Sequence, residues 1–112
     1  MMNISAQQRD AITVLYLEGR IDGDGALELD DVLKQVLAEG HARLVLDMSQ
    51  VSYINSAGLR TLADALADAQ QQQGDVKLVT LTPKVLRVLQ IIGFDRFFDI
   101  YANLAEALAA FR

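Results

Sequence analysis

The stretch VSYINSAGLRTL, residues 51–62, runs from β-branched and aromatic residues into what reads as the first turn of a helix, with Asn55 and Ser56 at the junction. Two kinds of chemistry fit that placement. Either side chain can accept a hydrogen bond from the open N–H groups of the first turn, with Ala57 and Gly58 then serving only close packing. Alternatively, the Ser56 hydroxyl is a phosphoacceptor. A phosphate there would lie at the positive end of the helix dipole, beside N–H groups with no partner inside the helix. It would add roughly −1.5 to −2 charges, which the fold could tolerate while a docked partner is displaced. The small neighbours leave the hydroxyl open to a kinase. Residue types alone leave both readings standing.

Other constellations fail. His41 follows Gly40 in a helix-to-strand loop, with neither a second histidine nor a cysteine, and reads as a solvated loop residue. Ser56 as a hydrolytic nucleophile would need a base that no motif supplies; G-x-S-x-G, P-loop and G-x-G-x-x-G patterns are all absent. The acidic run DGDGALELDD, residues 22–31, fails as a calcium loop. Counted from Asp22, its fifth, sixth and twelfth positions are Ala26, Leu27 and Leu33, where an oxygen ligand, a glycine and an acid are required. It reads instead as a turn through Gly23 and Gly25. Asp24 then sits near a helix N-terminus, where its charge is favourable, and Asp22 hydrogen-bonds locally. Neither a metal, a cofactor nor catalysis is expected.

Composition narrows the class further. The chain of 112 residues is 52% hydrophobic and 22% charged, which suits one folded domain over 1–112 with a core of its own. Cysteine is absent, so disulfides and thiolate chemistry are excluded and a reducing, cytoplasmic compartment is expected. The N-terminal MMNISAQQRD lacks the pattern of a secretory signal, and no apolar run approaches the ~20 residues of a membrane span. A net charge of −5 argues against direct nucleic-acid binding and leaves room for a basic protein partner.

The elements that must position Ser56 alternate along the chain. ISAQQ reads as a short edge strand, and AITVLYLEG as a strand closed by Gly19. ALELDDVLKQVLAEG is an amphipathic helix with Leu29, Leu33, Val36 and Leu37 inward, ended by Gly40. ARLVLDMS carries the apolar triple Leu44-Val45-Leu46 of a strand buried on both faces. The helix from Ser56 presents Leu59, Leu62, Ala63 and Leu66 as one stripe, with Arg60, Asp64 and Asp68 outward, and fades into the glutamines of residues 70–73. VKLVTL is the next strand. Thr82-Pro83 then starts a helix burying Val85, Val88, Leu89 and Ile92, with Gly93 ending it. RFFDIY reads as a brief last strand, and Asn103 with Glu106 resembles a capping box for a helix facing Leu104, Leu108 and Phe111 inward. One α/β domain around a single sheet is expected.

Three stretches also carry a family likeness. LVLDMSQVSYINSAGLRTL resembles a strand ending in D-L-S followed by V-x-x-[IM]-D-S-x-G-L-G at a helix start. LEGRIDGDGALELDDVL resembles G-[ER]-[IL]-D with its loop and amphipathic helix, and GDVKLVTLTPKVLRVLQIIGFDRFFDIYANLAEAL resembles a strand, a helix ending in G-[LF], and a closing strand and helix. In this order and spacing they resemble the STAS family of anti-sigma factor antagonists. The resemblance implies an α/β fold, a single STAS-like domain whose central mixed sheet of about four to five strands is flanked by about four helices. A cytoplasmic monomer without membrane insertion is expected.

The resemblance further implies a protein-binding module that holds a serine-kinase anti-sigma factor while its motif serine is bare. It releases the kinase once that serine is phosphorylated, and a phosphoserine phosphatase reverses the mark. By position the phosphoacceptor is Ser56. The partner-binding set implied is Asp22, Asn55, Ser56, Ala57, Gly58 and Arg60, with Asp47 structural. Two positions depart from the family pattern: Asn55 stands where an acid is usual, and Arg60 where a second glycine is usual. Arg60 reads as an exposed partner for Asp64 or as a contact to phosphate or partner. The alternative function is a non-switching STAS subunit of a membrane-transport or other regulatory assembly, in which Ser56 is no more than part of a helix cap.

Overall fold

A computed structural model of the chain describes residues 2–111. Strands β1 (Asn3–Arg9), β2 (Ile12–Ile21), β3 (Arg43–Ile54), β4 (Asp75–Val79) and β5 (Ile100–Tyr101) form one mixed sheet in chain order. β1 is an edge strand antiparallel to β2, while the remaining neighbours are parallel. Helices α1 (Gly23–Ala38), α2 (Ser56–Gln71) and α3 (Pro83–Ile91) connect successive parallel strands, and α4 (Leu104–Ala110) follows the last. Such crossovers share one hand, so all three connecting helices fall on the same face of the sheet.

The core divides accordingly. Leu15, Leu17, Leu44, Leu46, Met48, Val76 and Leu78 of the sheet meet Leu29, Leu33 and Leu37 of α1, Leu62 and Leu66 of α2, and Val85 and Leu89 of α3. Each leucine so buried contributes about 1.5–3 kcal/mol. On the opposite face Ile12, Val14, Val45 and Val79 are covered by Ala107 of α4, with Leu104, Leu108 and Phe111 around it. Leu44, Val45 and Leu46 are fully buried, as expected for a strand with helices on both sides.

Several expectations need correction. Gly19 does not close β2. It lies at φ 123° within a register irregularity against β3, between the Gly19–Val51 and Arg20–Tyr53 pairs, and the strand continues to Ile21. The strand expected over ARLVLDMS continues without a break to Ile54. RFFDIY is largely not a strand. Gly93, at φ 80°, turns the chain into a 3₁₀ turn at Phe94–Arg96, which seats Phe98 in the core and leaves only Ile100–Tyr101 to pair with β4. Ile92 is 44% exposed, because it is the C-cap of α3 and stands beyond the helix's inward stripe. The buried stripe of α2 is also rotated. Gly58, Thr61, Leu62, Ala65, Leu66 and Ala69 face inward, while Leu59 and Ala63 sit at its margin. Small residues at 58, 65 and 69 let α2 lie close to the sheet.

Both long helices end in the same way. After α1 the His41 N–H donates to the Val36 carbonyl and the Gly40 N–H to Leu37, with Gly40 at φ 87°. After α2 the Gly74 N–H donates to Ala69 and the Gln73 N–H to Gln70, but here the left-handed position is Gln73, at φ 63°.

Candidate functional site

The parallel strands deliver their carboxyl ends to one edge of the domain, and each connecting helix starts there. Ile21 of β2 and Ile54 of β3 are direct register partners, so Asp22 and Asn55, the next residue on each strand, stand side by side. The Asn55 N–H extends the ladder by donating to the Ile21 carbonyl at 3.1 Å. Each side chain then caps its own helix: Asp22 Oδ1 accepts from the Gly25 N–H at 2.9 Å, and Asn55 Oδ1 from the Gly58 N–H at 3.2 Å. Thr82 caps α3 in the same fashion through the Val85 N–H.

This geometry decides between the two residues that could cap α2. Asn55 takes the bond, and Ser56 occupies the first helical position, exposed, with exposed Ala57 beside it. Asn55 is therefore an adequate replacement for an acid as far as the cap is concerned. α1 correspondingly begins at Gly23, inside what the sequence suggests is a turn, because Asp22 serves as its N-cap.

Two glycines are required by contact. A Cβ on Gly25 would lie 2.1 Å from the Arg20 carbonyl oxygen, and one on Gly58 would lie 2.5 Å from Ile21 Cγ2 and 2.8 Å from Ile54 Cγ1. The side-by-side helix starts can sit this low on the strand ends only without those side chains.

Between α1 and α2 the surface opens into a groove of about 650 Å³. Ser56, Ala57 and Arg60 line it from α2, and Gly23, Leu27 and Lys34 from α1. Asp22, Asn55 and Gly58 lie behind it as its supports. Leu27, 67% exposed, is the large apolar side chain at its rim. The only basic residues on α1 and α2 are Lys34 and Arg60, against Asp24, Glu28, Asp30, Asp31, Asp64 and Asp68. Lys34 is held by Asp30 at 2.7 Å, which raises its pKa through that hydrogen bond first and the charge second. Among the described residues Arg60 forms no ion pair. The pairing with Asp64 allowed by their spacing is not made, although both residues line the groove.

The hydrogen bond from the Gly25 N–H holds the Asp22 carboxyl below its ordinary pKa of 3.8, assisted by the charge of Arg20 at 3.9 Å. A carboxylate depressed in the folded state stabilises the fold above its ordinary pKa, and this contribution fades as the pH falls through the lower, folded value. Arg20 also stacks over the Tyr53 ring, 4.1 Å from its centroid, fastening β2 to β3 just before the caps.

Two further side chains complete the electrostatic picture. Asp47 Oδ1 accepts from the Ser49 N–H at 3.0 Å, a local bond within β3 that matches its expected structural role. Lys77 was not foreseen. It is 6% exposed on the face opposite the groove, its Nζ donating to Asp75 at 2.9 Å and Asp99 at 3.0 Å and lying 4.7 Å from the Phe111 ring centroid. Burial pulls its pKa down, but the two carboxylates outweigh this and hold it above 10.5. The alternation of VKLVT, with an acid just ahead of it, was the available signal. His41 is half-buried and not simply solvated, its Nδ1 lying 3.3 Å from Gln8 Nε2 across the strand end.

Among the described residues no group of three or more His, Cys, Asp or Glu side chains is placed to hold a metal, and no helix is long and apolar enough to cross a membrane.

The chain is similar to known proteins along almost its whole length. The chain is 34% identical to BtrV of Bordetella bronchiseptica over 97% of its own length and 93% of that protein's. It is 27% identical to the anti-sigma-F factor antagonist RsfB of Mycobacterium tuberculosis, over 99% of this chain and 90% of that one. The crystal structure of an anti-sigma factor antagonist from Mycobacterium paratuberculosis superimposes with a TM-score of 0.89 at 28% identity, covering 98% of this chain and 93% of that one. The STAS domain family model matches residues 3–107, and the chain belongs to the STAS domain family.

Proposed function

We propose that this protein is an anti-sigma factor antagonist in the cytoplasm, that its docking surface is the shared carboxyl end of β2 and β3 with the α1–α2 groove, and that Ser56 is its switch. One observation carries the reading: Asn55 takes the capping bond of α2, so that Ser56 stands exposed at the groove's edge. The names of its relatives supply the class of partner. The specific partner proposed is a serine-kinase anti-sigma factor, with a phosphoserine phosphatase resetting the switch.

The chemistry follows from the surroundings. The kinase transfers the γ-phosphoryl group of ATP to Ser56 Oγ; the P–O bond to ADP breaks as the bond to Oγ forms, and the hydroxyl proton passes to a base on the kinase. The product adds roughly −1.5 to −2 charges to a surface already dominated by aspartates and glutamates. A partner seated on this end of the domain meets the bulk and charge of the phosphate within its footprint, and dissociates. Arg60, one turn along α2 from Ser56 and lining the same groove, is the available cation for partner or phosphate.

The test is direct. Incubation with ATP and a cognate serine-kinase anti-sigma factor should add one phosphate mass to the peptide containing Ser56, and Ser56→Ala should abolish it. An unmodified wild-type protein, with an active kinase in the tube, would favour the non-switching STAS subunit instead.

A further inference from the structure

A second surface lies at the other end of α2. Ala63, Leu66, Ala67 and Gln70 of α2, with Phe94, Phe97 and Phe98 around the 3₁₀ turn, enclose an apolar cleft of about 270 Å³. Phe97 is 68% exposed, held edge-on to Phe94 with centroids 6.5 Å apart. Just before it in the chain, at the end of α3, Ile91 is 72% and Ile92 44% exposed. Among the described residues, the exposed large hydrophobic side chains are these three and Leu27, so three of the four lie within the segment 91–97. A cluster of exposed large apolar side chains of this kind marks an interaction surface.

The charge on α3 and the 3₁₀ turn is opposite in sign to that of the groove. Lys84, Arg87 and Arg96 are exposed on α3 and the 3₁₀ turn, with Asp95 as the sole acid of those two elements. Among the described residues none of these three cations is in an ion pair, whereas Arg20, Lys34 and Lys77 all are. Arg96 belongs to the turn that carries Phe94, Phe97 and Phe98, and Arg87 stands one turn before the exposed Ile91 on α3. Asp64 and Asp68 of α2 turn away, toward α1. In a chain of net charge −5, an apolar cleft whose neighbouring segment carries unpaired cations favours acidic ligands.

We propose that this cleft between α2 and the 3₁₀ turn is a docking site for an acidic protein segment with apolar anchors, one anchor entering against Phe97 and its carboxylates meeting Arg96 and, further along the segment, Arg87. The site stands apart from the switch. Ala67 follows Ser56 by eleven residues along α2, about 16 Å at the helical rise of 1.5 Å per residue. The occupant would bind whether or not Ser56 carries phosphate, giving the domain a second, constant attachment to its assembly.

The experiment uses the full chain and a fluorescent synthetic peptide with Leu and Phe at helical spacing and Asp and Glu between them, alongside a control with Lys and Arg in place of the acids. The acidic peptide should bind saturably, with amide shift changes confined to residues 84–98 and the second half of α2. The basic control should bind at least about tenfold more weakly. Arg87→Glu with Arg96→Glu, both on the surface, should weaken the acidic peptide by at least about tenfold, as should Phe97→Ser, and Ser56→Asp should leave it unchanged. Absence of binding, equal binding of both peptides, or shifts centred on Ser56 would overturn the proposal. So would reversible self-association in sedimentation velocity that Phe97→Ser removes, since the cleft would then be a contact between copies of this chain.

Discussion

Substituting Gly58 by alanine tests the geometry of the site through its sign. In an exposed helix the change would stabilise, by at most about 1 kcal/mol. Here the new methyl would lie 2.5 Å from Ile21 Cγ2, 2.8 Å from Ile54 Cγ1 and 3.1 Å from the Ile21 carbonyl oxygen. Ile21 is fully buried and Ile54 4% exposed, so neither has space to withdraw, and the carbonyl is fixed by the bond it accepts from Asn55. Overpacking of this kind costs about 1–3 kcal/mol. The net expectation for Gly58→Ala is a loss of about 1–2 kcal/mol, seen as a fall in Tm of about 4–8 °C for a domain of this size. Gly23→Ala is the internal control, because a Cβ there meets nothing within 4 Å. It should gain up to about 1 kcal/mol by restricting the unfolded chain. Urea titrations of wild type and both variants, with the slope checked for constancy, give the numbers. A Gly58→Ala protein as stable as wild type would refute the close seating of α2 on the strand ends.

Other substitutions probe the supports. Asn55→Ala should cost about 1 kcal/mol through loss of the bond to the Gly58 N–H, whereas Asn55→Asp should retain the cap and gain about 0.3–1 kcal/mol from the helix dipole; urea midpoints separate the two. Gln73→Gly should stabilise by about 0.5–1 kcal/mol, because Gln73 is exposed and holds a left-handed backbone at φ 63° that glycine adopts without steric cost; a calorimetric Tm below wild type would count against it. Lys77, raised above 10.5, contributes its full stabilisation below that pH and loses it as the pH climbs through the folded value. Wild type should therefore lose stability steeply in alkali, and Lys77→Met should show a flatter alkaline limb.

The sequence carried the fold wherever local chemistry and tertiary packing agree. Leu44-Val45-Leu46 could only be a strand covered on both faces, and Thr82-Pro83 and Gly40 marked helix ends that the structure reproduces. It misled where tertiary context overrides pattern. Gly19 looks like a terminator but absorbs an irregularity inside β2. The aromatic residues of RFFDIY look like a strand, yet they furnish a 3₁₀ turn, a core side chain and an exposed ring.

At the candidate site, the sequence could name residues to propose but not how they are arranged. Spacing could not say whether Asn55 or Ser56 capped α2, because that depends on where β3 stops relative to β2. The Ile21–Ile54 register settles the cap and places Asp22 beside Asn55, a neighbourhood that spans 33 positions of sequence. The apolar cleft at the far end of α2 was likewise hidden, since RFFDIY reads as a strand until its phenylalanines are seen on a 3₁₀ turn against α2.

Calorimetric titration of the proposed partner, a serine-kinase anti-sigma factor, with three forms of this protein bears most directly on the proposed switch. Unmodified protein and Ser56→Ala should bind with similar affinity, and protein phosphorylated at Ser56 should bind at least about a hundredfold more weakly, equivalent to about 2.7 kcal/mol. Equal affinity of the phosphorylated and unmodified forms would contradict the assignment of Ser56 as the switch.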